Sequence, residues 1–521
     1  VSRSRQTFIQ GAVILMAAGI FNRLIGFVPR IMLPRLIGAE GVGLFQMGYP
    51  LMSVLLTLIT GGITLAVAKL VAEAETQGNY WRSRGILRTA LLISGGLGAV
   101  MTLLCAAAAR YLTQYLFTDQ RVYWTIVCMS PIIFLVSLSS VLRGYFQGKH
   151  NMIPTAVSQS AETIVRCAMV LVIAWAFVPM GIAYAAAGAM IGVVCGELVG
   201  LALLGWHYVR YGRNRTFVRR AAVGEADTVR GRLRLARRLL RISVPVTASR
   251  LIGSASYFAE SVLIVQSLAI AGVAAAAATA QYGMLQGMVM PLLLLPTALT
   301  YSLSVSLVPS LSEAAALRDM LTIRKRMHQS LRLTLVTGAP FAVILYVLAE
   351  PVCKLLYGSA DIAPMLALMA PAAIFIYLQA PLAAALQALD KPGTALRNTL
   401  IGAIVKLVLI YALATNPELG INGAVLAICV NIALVTVLHS VSVARLLKTV
   451  LPPLDYVKVA SGAIIMAAMC KFGYTATVAH GVLAGLAAAC AAGGLCYMLT
   501  MAVTGMIDRH DVVRLLRLRR H

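Results

Sequence analysis

The two halves of this chain repeat each other, and the repeated unit is made of apolar runs too long for a soluble core. Gln147 of FQGKHNMIPTA aligns with Gln387 of LQALDKPGTA at an offset of 240 residues, and the same offset carries Arg166 onto Lys406 and the AEA ending at Ala74 onto the SEA ending at Ala314. The first segment fits a shorter offset of 227, which lays NRLIG (Asn22 to Gly26) on SRLIG (Ser249 to Gly253) and Arg23 on Arg250; an insertion of 13 residues in one loop accounts for the difference. A duplicated bundle that keeps charged side chains within apolar segments is the pattern of a transporter whose substrate path lies between the repeats.

With 521 residues, 60% of them hydrophobic and 12% charged, the chain has too little polar surface to be soluble. Its apolar runs often exceed the ~20 residues that span a bilayer. The pattern predicts an all-α polytopic membrane protein with fourteen spans, at about 8–33, 44–72, 86–109, 122–142, 155–178, 181–208, 242–270, 280–308, 331–356, 363–388, 395–415, 420–444, 456–477 and 480–505. The short alternating segments of a barrel are absent. Six spans per repeat is an even number, so both halves enter the membrane in the same sense, as parallel repeats about an axis along the membrane normal. The expected organisation is a six-helix bundle over 1–209, a basic cytoplasmic linker over 210–241, a second bundle over 242–447, an added helix pair over 448–505 and a basic cytoplasmic tail over 506–521. Breakers inside spans (Gly26 and Pro29, Thr60 to Gly62, Pro291 and Pro296) mark helices that can bend.

A formal charge of +26 would suggest nucleic acid in a soluble protein, so the placement of Lys and Arg has to decide. With the N-terminus in the cytoplasm, 33 of the 44 lie in the termini and loops of that side, five lie in the opposite loops (Arg35, Arg110, Arg121, Lys354, Lys471) and six lie within spans (Arg23, Arg30, Lys69, Arg166, Arg250, Lys406). The positive-inside rule therefore puts both termini in the cytoplasm and leaves nucleic acid no role. Eleven arginines between Arg210 and Arg241, and the RLLRLRRH after Asp511, mark the inner surface, where anionic lipid headgroups are the fitting partners.

No Walker loop, dinucleotide fingerprint or nucleophile elbow is present, and the nine cysteines and seven histidines show no metal spacing. The expectation is a transporter and not an enzyme, with no cofactor, metal or disulfide, driven by an ion gradient or the membrane potential. The first apolar stretch contains Arg23 and Arg30 and belongs to the repeat, so it does not read as a cleavable signal.

The charges inside spans are the candidate substrate contacts. A cation at mid-membrane costs ~2.5–3.5 kcal/mol even on the lenient scale, so it should face a wet cavity or a partner. Arg23 and Arg30 are seven residues apart, which on one helix puts them on one face, and Arg250 repeats Arg23. Arg23 and Arg250 are expected to face a shared cavity, where guanidinium forks suit phosphate or pyrophosphate oxygens. Glu162 and Arg166 are spaced for an intrahelical pair, whereas Lys406 repeats the cation and Gly402 replaces the carboxylate. Glu162, Glu260 and Glu197 are the candidate coupling or ion-pair carboxylates, and Gln159, Gln266, Gln281, Gln286, Gln379 and Gln387 are either path-lining or interhelical links.

The segments GAVILMAAGIFNRLIGFVPRIMLPRLIGAEGVGLFQMGYP, AKLVAEAETQG, LRGYFQGKHNMIPTAVSQSAETIVR and LQALDKPGTALRN resemble the stage V sporulation protein B branch of polysaccharide exporters. That branch belongs to the multidrug/oligosaccharidyl-lipid/polysaccharide exporter superfamily and is related to the MurJ lipid II flippases. The resemblance implies a MATE-like fold in the bacterial plasma membrane. It also implies movement of an undecaprenyl-pyrophosphate-linked peptidoglycan precursor from inner to outer leaflet by alternating access, with cell-wall synthases as the protein partners of such a role. Those flippases carry an early RxxGFxR motif; RLIGFVPR keeps Arg23 and has one extra residue before Arg30. Glu260 stands where the family has an acid in span 7. A flippase for another polyprenyl-linked glycan, or a cation-coupled multidrug antiporter, would share the architecture, but the antiporter would favour carboxylates over arginines in its cavity. A glycan polymerase would need a carboxylate cluster and a large outer loop, and a scaffold for synthases would leave the buried arginines unexplained.

Overall fold

The computed structural model describes residues 8–213, 229–448 and 453–506, and these form helices with no strand among them. The chain divides between Gly287 and Met288 into two compact units. The first holds α1 (Phe8–Ile25), α2 (Val28–Thr60), α3 (Ile63–Thr76), α4 (Tyr80–Leu116), α5 (Val122–Gly148), α6 (Ile153–Phe177), α7 (Ile182–Arg213), α8 (Val229–Ile270) and α9 (Ala275–Gly283). The second holds α10 (Met290–Leu294), α11 (Thr297–Ala316), α12 (Met320–Val347), α13 (Ala349–Tyr357), α14 (Ala363–Ala388), α15 (Pro392–Ala414), α16 (Ile421–Leu447), α17 (Pro453–Thr477) and α18 (Val482–Val503). The segment 210–241 is thus helical at both ends: α7 runs to Arg213, and α8 begins at Val229 and packs on α2, α3 and α4. The centre of that segment and the basic tail beyond residue 506 lie outside the described residues.

The 240-residue repeat is written into the backbone as well as the side chains. Asn79 caps α4 by accepting from Arg82 N (3.0 Å), and its counterpart Asp319 caps α12 by accepting from Thr322 N (3.0 Å). The residue before each cap is left-handed: Gly78 (φ 69°) in the first half and Arg318 (φ 55°) in the second. His150 (φ 55°) and Asp390 (φ 56°) form a second such pair. Behind them Asn151 N donates to Phe146 O (3.1 Å) and Lys391 N to Leu386 O (2.8 Å), the six-to-one bonds that close a helix C-terminus.

Among the described residues, twelve helical stretches are long and apolar enough to cross a membrane, in place of the fourteen separate spans expected. Two expectations fail as single helices, both because of breakers. The first two spans form one stretch, Ile14–Thr76. It is interrupted at Gly26–Phe27, kinked at Gly38 (φ 69°, ψ 176°) and interrupted again at Gly61–Gly62. The eighth is split into α9, a π-helical turn (Met284–Val289), α10 and α11, with Pro291 and Pro296 at the joints. In the second unit, the carbonyls released by this breakage find donors: Tyr357 Oη donates to Met288 O (3.0 Å) and Tyr377 Oη to Leu293 O (3.1 Å). A broken helix is tolerated at membrane depth when its backbone is re-satisfied in this way.

The core of the first unit includes Ala66, Val67, Leu70, Val71, Ile86 and Phe146, and that of the second Leu311, Ile323, Met327, Leu331 and Leu382. The added pair α17 and α18 pack on each other and on α12, where the Tyr497 hydroxyl donates to Val336 O (3.1 Å). The most extensive helix-to-helix packing of the first unit is between α6 and α7, along a stripe of Gly192, Gly196 and Gly200, one residue per turn. A Cβ at Gly196 would lie 2.6 Å from Arg166 Cβ and 2.9 Å from Glu162 O. Without a hydrophobic drive between helices in lipid, such small-residue stripes set how closely backbones approach. Gly196→Leu should therefore lower stability by about 1–3 kcal/mol, seen as a lower thermal midpoint in detergent. Gly205→Ala, where a Cβ meets nothing within 4 Å, should leave the midpoint unchanged or raise it.

Candidate functional site

The close approach of α6 and α7 puts a charged quartet inside the apolar first unit. Glu162 on α6 is 8% exposed, and its two oxygens are claimed by two guanidiniums: Arg143 Nη2 of α5 donates to Oε2 (2.7 Å) and Arg166 Nη1 to Oε1 (3.1 Å). Glu197, next to Gly196 on α7, is buried with its carboxyl against that of Glu162 and within electrostatic reach of both arginines. The Glu162 carboxylate is thus shared between two guanidiniums, with a second carboxyl packed against it. Pairing with hydrogen bonds of this kind is the form in which charged side chains persist in an apolar interior.

A polar track continues from the quartet across the same unit. Tyr49 of α2 is within electrostatic reach of Arg166, Arg30 and Glu197. Tyr257 of α8 is within reach of Glu260, Tyr49 and Arg30. Glu260 is buried and accepts from Gln286 Nε2 of the π-helical turn (3.1 Å). All three candidate carboxylates thus sit on one track, and Arg30 stands between its ends.

Arg23, Arg30 and Arg250 are exposed on this unit. The single helical face expected for Arg23 and Arg30 is not continuous, because the helix breaks between Ile25 and Val28 and Phe27 N bonds to Leu24 O (3.2 Å), three residues back. Lys406 lies on α15 in the second unit and is half-buried. Its missing carboxylate has a packing reason: a Cβ at Gly402 would lie 2.2 Å from Val435 Cγ2 and 2.6 Å from Asn431 Oδ1 on α16. The repeat has exchanged bulk across the helix pair, with glycine on the second helix in one half and on the first in the other. Of the glutamines, Gln266 donates to Leu116 O (3.3 Å) and Gln379 to Ile432 O (3.1 Å) and Thr436 Oγ1 (3.2 Å), so these two link helices.

A second charged knot ties the end of the first unit opposite its basic loops. Asp119, buried in the α4–α5 loop, accepts from Arg121 Nε (3.0 Å) and Nη2 (2.7 Å) and from Thr279 Oγ1 of α9 (3.0 Å), while Arg121 also pairs with Glu40 (2.5 Å). Burial pushes the Asp119 carboxyl up, but the bonds from Arg121 and Thr279 outweigh it and hold the carboxyl below the usual carboxylate range. At the other end Lys149 pairs with Glu75 (3.3 Å) and Arg238 with Glu73 (2.6 Å).

The polysaccharide biosynthesis protein family matches residues 8–315. Stage V sporulation protein B of Bacillus subtilis (strain 168) is 41% identical over 517 residues, which cover 98% of each chain. Lipid II flippase MurJ of the same organism is 24% identical over 441 residues, covering 80% of this chain and 79% of its own. Among solved structures, lipid II flippase MurJ in an inward closed conformation aligns with a TM-score of 0.72 at 13% identity, over 94% of this chain and 98% of its own. An inward-facing multidrug resistance MATE family transporter of the MOP superfamily aligns with a TM-score of 0.64 at 13% identity, over 84% and 98%. At such identities the two structures speak to the fold, which is the MATE-like one that the resemblance implies.

Two substitutions probe the charged groups. Glu162→Ala removes the acceptor of two half-buried guanidiniums and should lower stability by about 1.5–3 kcal/mol, measured by thermal or denaturant unfolding in detergent. Asp119→Asn should cost about 1.5–3 kcal/mol at neutral pH. Because the folded-state pKa of Asp119 is depressed, that contribution is full above the unfolded value of about 3.9 and fades as pH falls through the folded one. The gap between wild type and Asp119→Asn should therefore close in acid.

Proposed function

Because this chain belongs to the polysaccharide biosynthesis protein family, as a multi-pass membrane transporter of the flippase type and not an enzyme, we propose that it carries an undecaprenyl-pyrophosphate-linked peptidoglycan precursor from the inner to the outer leaflet by alternating access. The relative named lipid II flippase supports this class of cargo. Both termini lie in the cytoplasm of a bacterial cell in this reading, with the basic segments against anionic headgroups.

The observation that carries the reading is the exposure of the cations. Arg143 and Arg166 are bound to a buried carboxylate inside the unit, and Arg23, Arg30 and Arg250 are exposed on helices that are apolar enough to cross the membrane. Exposed guanidiniums at such positions are stable when they face water or an anion. The planar fork binds a pyrophosphate through paired N–H bonds, which a lysine ammonium cannot reproduce. Lys406 is the candidate substrate cation of the second unit, and the buried track through Glu162, Glu197 and Glu260 in the first is the place for coupling to an ion.

Proteoliposomes loaded with the lipid-linked precursor, or with a different polyprenyl-linked glycan, test the reading by arrival of headgroup in the outer leaflet. Arrival of the precursor alone is expected, and arrival of only the other glycan would reassign the cargo. Arg23→Ala or Arg250→Ala should reduce the rate at least tenfold with the protein still folded, and Lys at either position should restore it in part. Full rescue by Lys would reduce the role to charge. Lys406→Ala should impair transport more than thermal stability; normal transport by that variant would remove it from the path.

A further inference from the structure

At the end of the first unit opposite its basic loops, the structure opens a cavity of about 790 Å³ between the α4–α5 loop and the N-terminus of α7. Its volume lies within the ~300–1,000 Å³ of small-molecule sites. Its wall joins two kinds of group. Tyr123, Trp124 and Tyr184 form an aromatic run, with Trp124 at 5.1 Å from Tyr123 edge-on and 5.7 Å from Tyr184 tilted, ring centre to ring centre. Arg110, Gln114 and Gln120 supply hydrogen-bonding side chains around it. Trp124 and Tyr184 are 42% and 40% exposed, so their faces are available.

The charge on this wall is small. Arg121 also lines the cavity, but it is bound to Asp119 and Glu40, so that knot carries one negative charge in sum and Arg110 offsets it. A wall without net charge draws phosphate less than a cluster of guanidiniums would. Aromatic faces beside amide and guanidinium donors instead match a pyranose ring, whose C–H face is apolar and weakly positive and whose rim carries hydroxyl and acetamido oxygens. Aromatic residues also form belts at the headgroup level of a membrane; these three in addition line a concave space with polar walls.

We infer that this cavity is a saccharide subsite, with Trp124 as the stacking platform and Arg110, Gln114 and Gln120 as donors to the ring oxygens of the cargo's sugar portion. The inference rests on the reading that the cargo is a lipid-linked saccharide. The subsite would hold the sugars on the outer side as the pyrophosphate is released, which separates recognition of the glycan from recognition of the phosphate.

The test is saturation-transfer NMR on the full chain in nanodiscs with a water-soluble muramyl disaccharide as the probe. Saturable transfer is expected, weakened at least tenfold in Trp124→Ala and partly retained in Trp124→Phe, with both variants melting as wild type does. Arg23→Ala should bind the disaccharide as wild type does. Equal binding by Trp124→Ala, or no binding by wild type, overturns the subsite. Displacement by inorganic pyrophosphate, or loss of binding in phosphatidylglycerol nanodiscs but not in neutral ones, also overturns it, by making the cavity a phosphate or headgroup site. If the disaccharide binds while no polyprenyl-linked glycan moves in proteoliposomes, the proposed transport fails and the subsite stands. If Trp124→Ala transports at the wild-type rate and the disaccharide does not bind, the subsite fails and the transport reading stands.

Discussion

A guanidinium held among apolar helices needs an acceptor or water, and the first unit is arranged around that need. Glu162 supplies both of its oxygens to arginines from two helices, and α7 lies close enough to bring the Glu197 carboxyl against it. The closeness comes from three glycines one turn apart, so the electrostatic arrangement depends on the absence of side chains. Breaking one partner leaves an uncompensated buried charge, a larger loss than the pair's own net contribution.

The duplicated fold uses the same backbone devices twice and the same chemistry once. Helix caps and left-handed turns recur at matched positions, down to a non-glycine left-handed residue where the first half has Gly78. The helix pair that holds the quartet is nevertheless rebuilt in the second half, where Gly402 lies against Val435 and Asn431 and no carboxylate can stand. The intrahelical pair of the first half, and its absence one turn before Lys406 in the second, is thus an outcome of which helix surrendered its side chain. The division of work that follows, with paired charges holding the bundle and other cations meeting the cargo, is the core of the functional reading.

Much of this was legible in the sequence. Span lengths and the offset repeat set the fold class, and the spacing of Glu162 and Arg166 foretold their pair because four residues make one helical turn. Arg143 was missed because the apolar run stops at Leu142, which placed it in a loop, whereas α5 continues to Gly148. Its partner lies 19 residues away on another helix, a contact no local spacing encodes. The Gly192, Gly196, Gly200 spacing was present as a signal of close packing and went unread. The Asp119 knot joins the α4–α5 loop to Thr279 of α9, 160 residues away, and Arg121 reads in the sequence only as an orientation charge. The merging and splitting of spans arose from Gly and Pro at helix joints, which hydropathy averages over.

The central claim is that the exposed arginines engage the cargo's pyrophosphate while the two bound to Glu162 maintain the unit. Native mass spectrometry of the purified protein with a polyprenyl pyrophosphate lacking sugars tests it most directly, because it reads phosphate recognition apart from transport. The account predicts strong loss of the lipid adduct in the Arg23→Ala, Arg250→Ala double variant, with the protein's thermal midpoint retained. Undiminished adduct in that variant, beside loss in Arg166→Ala, would contradict it by exchanging the roles of the two sets of arginines.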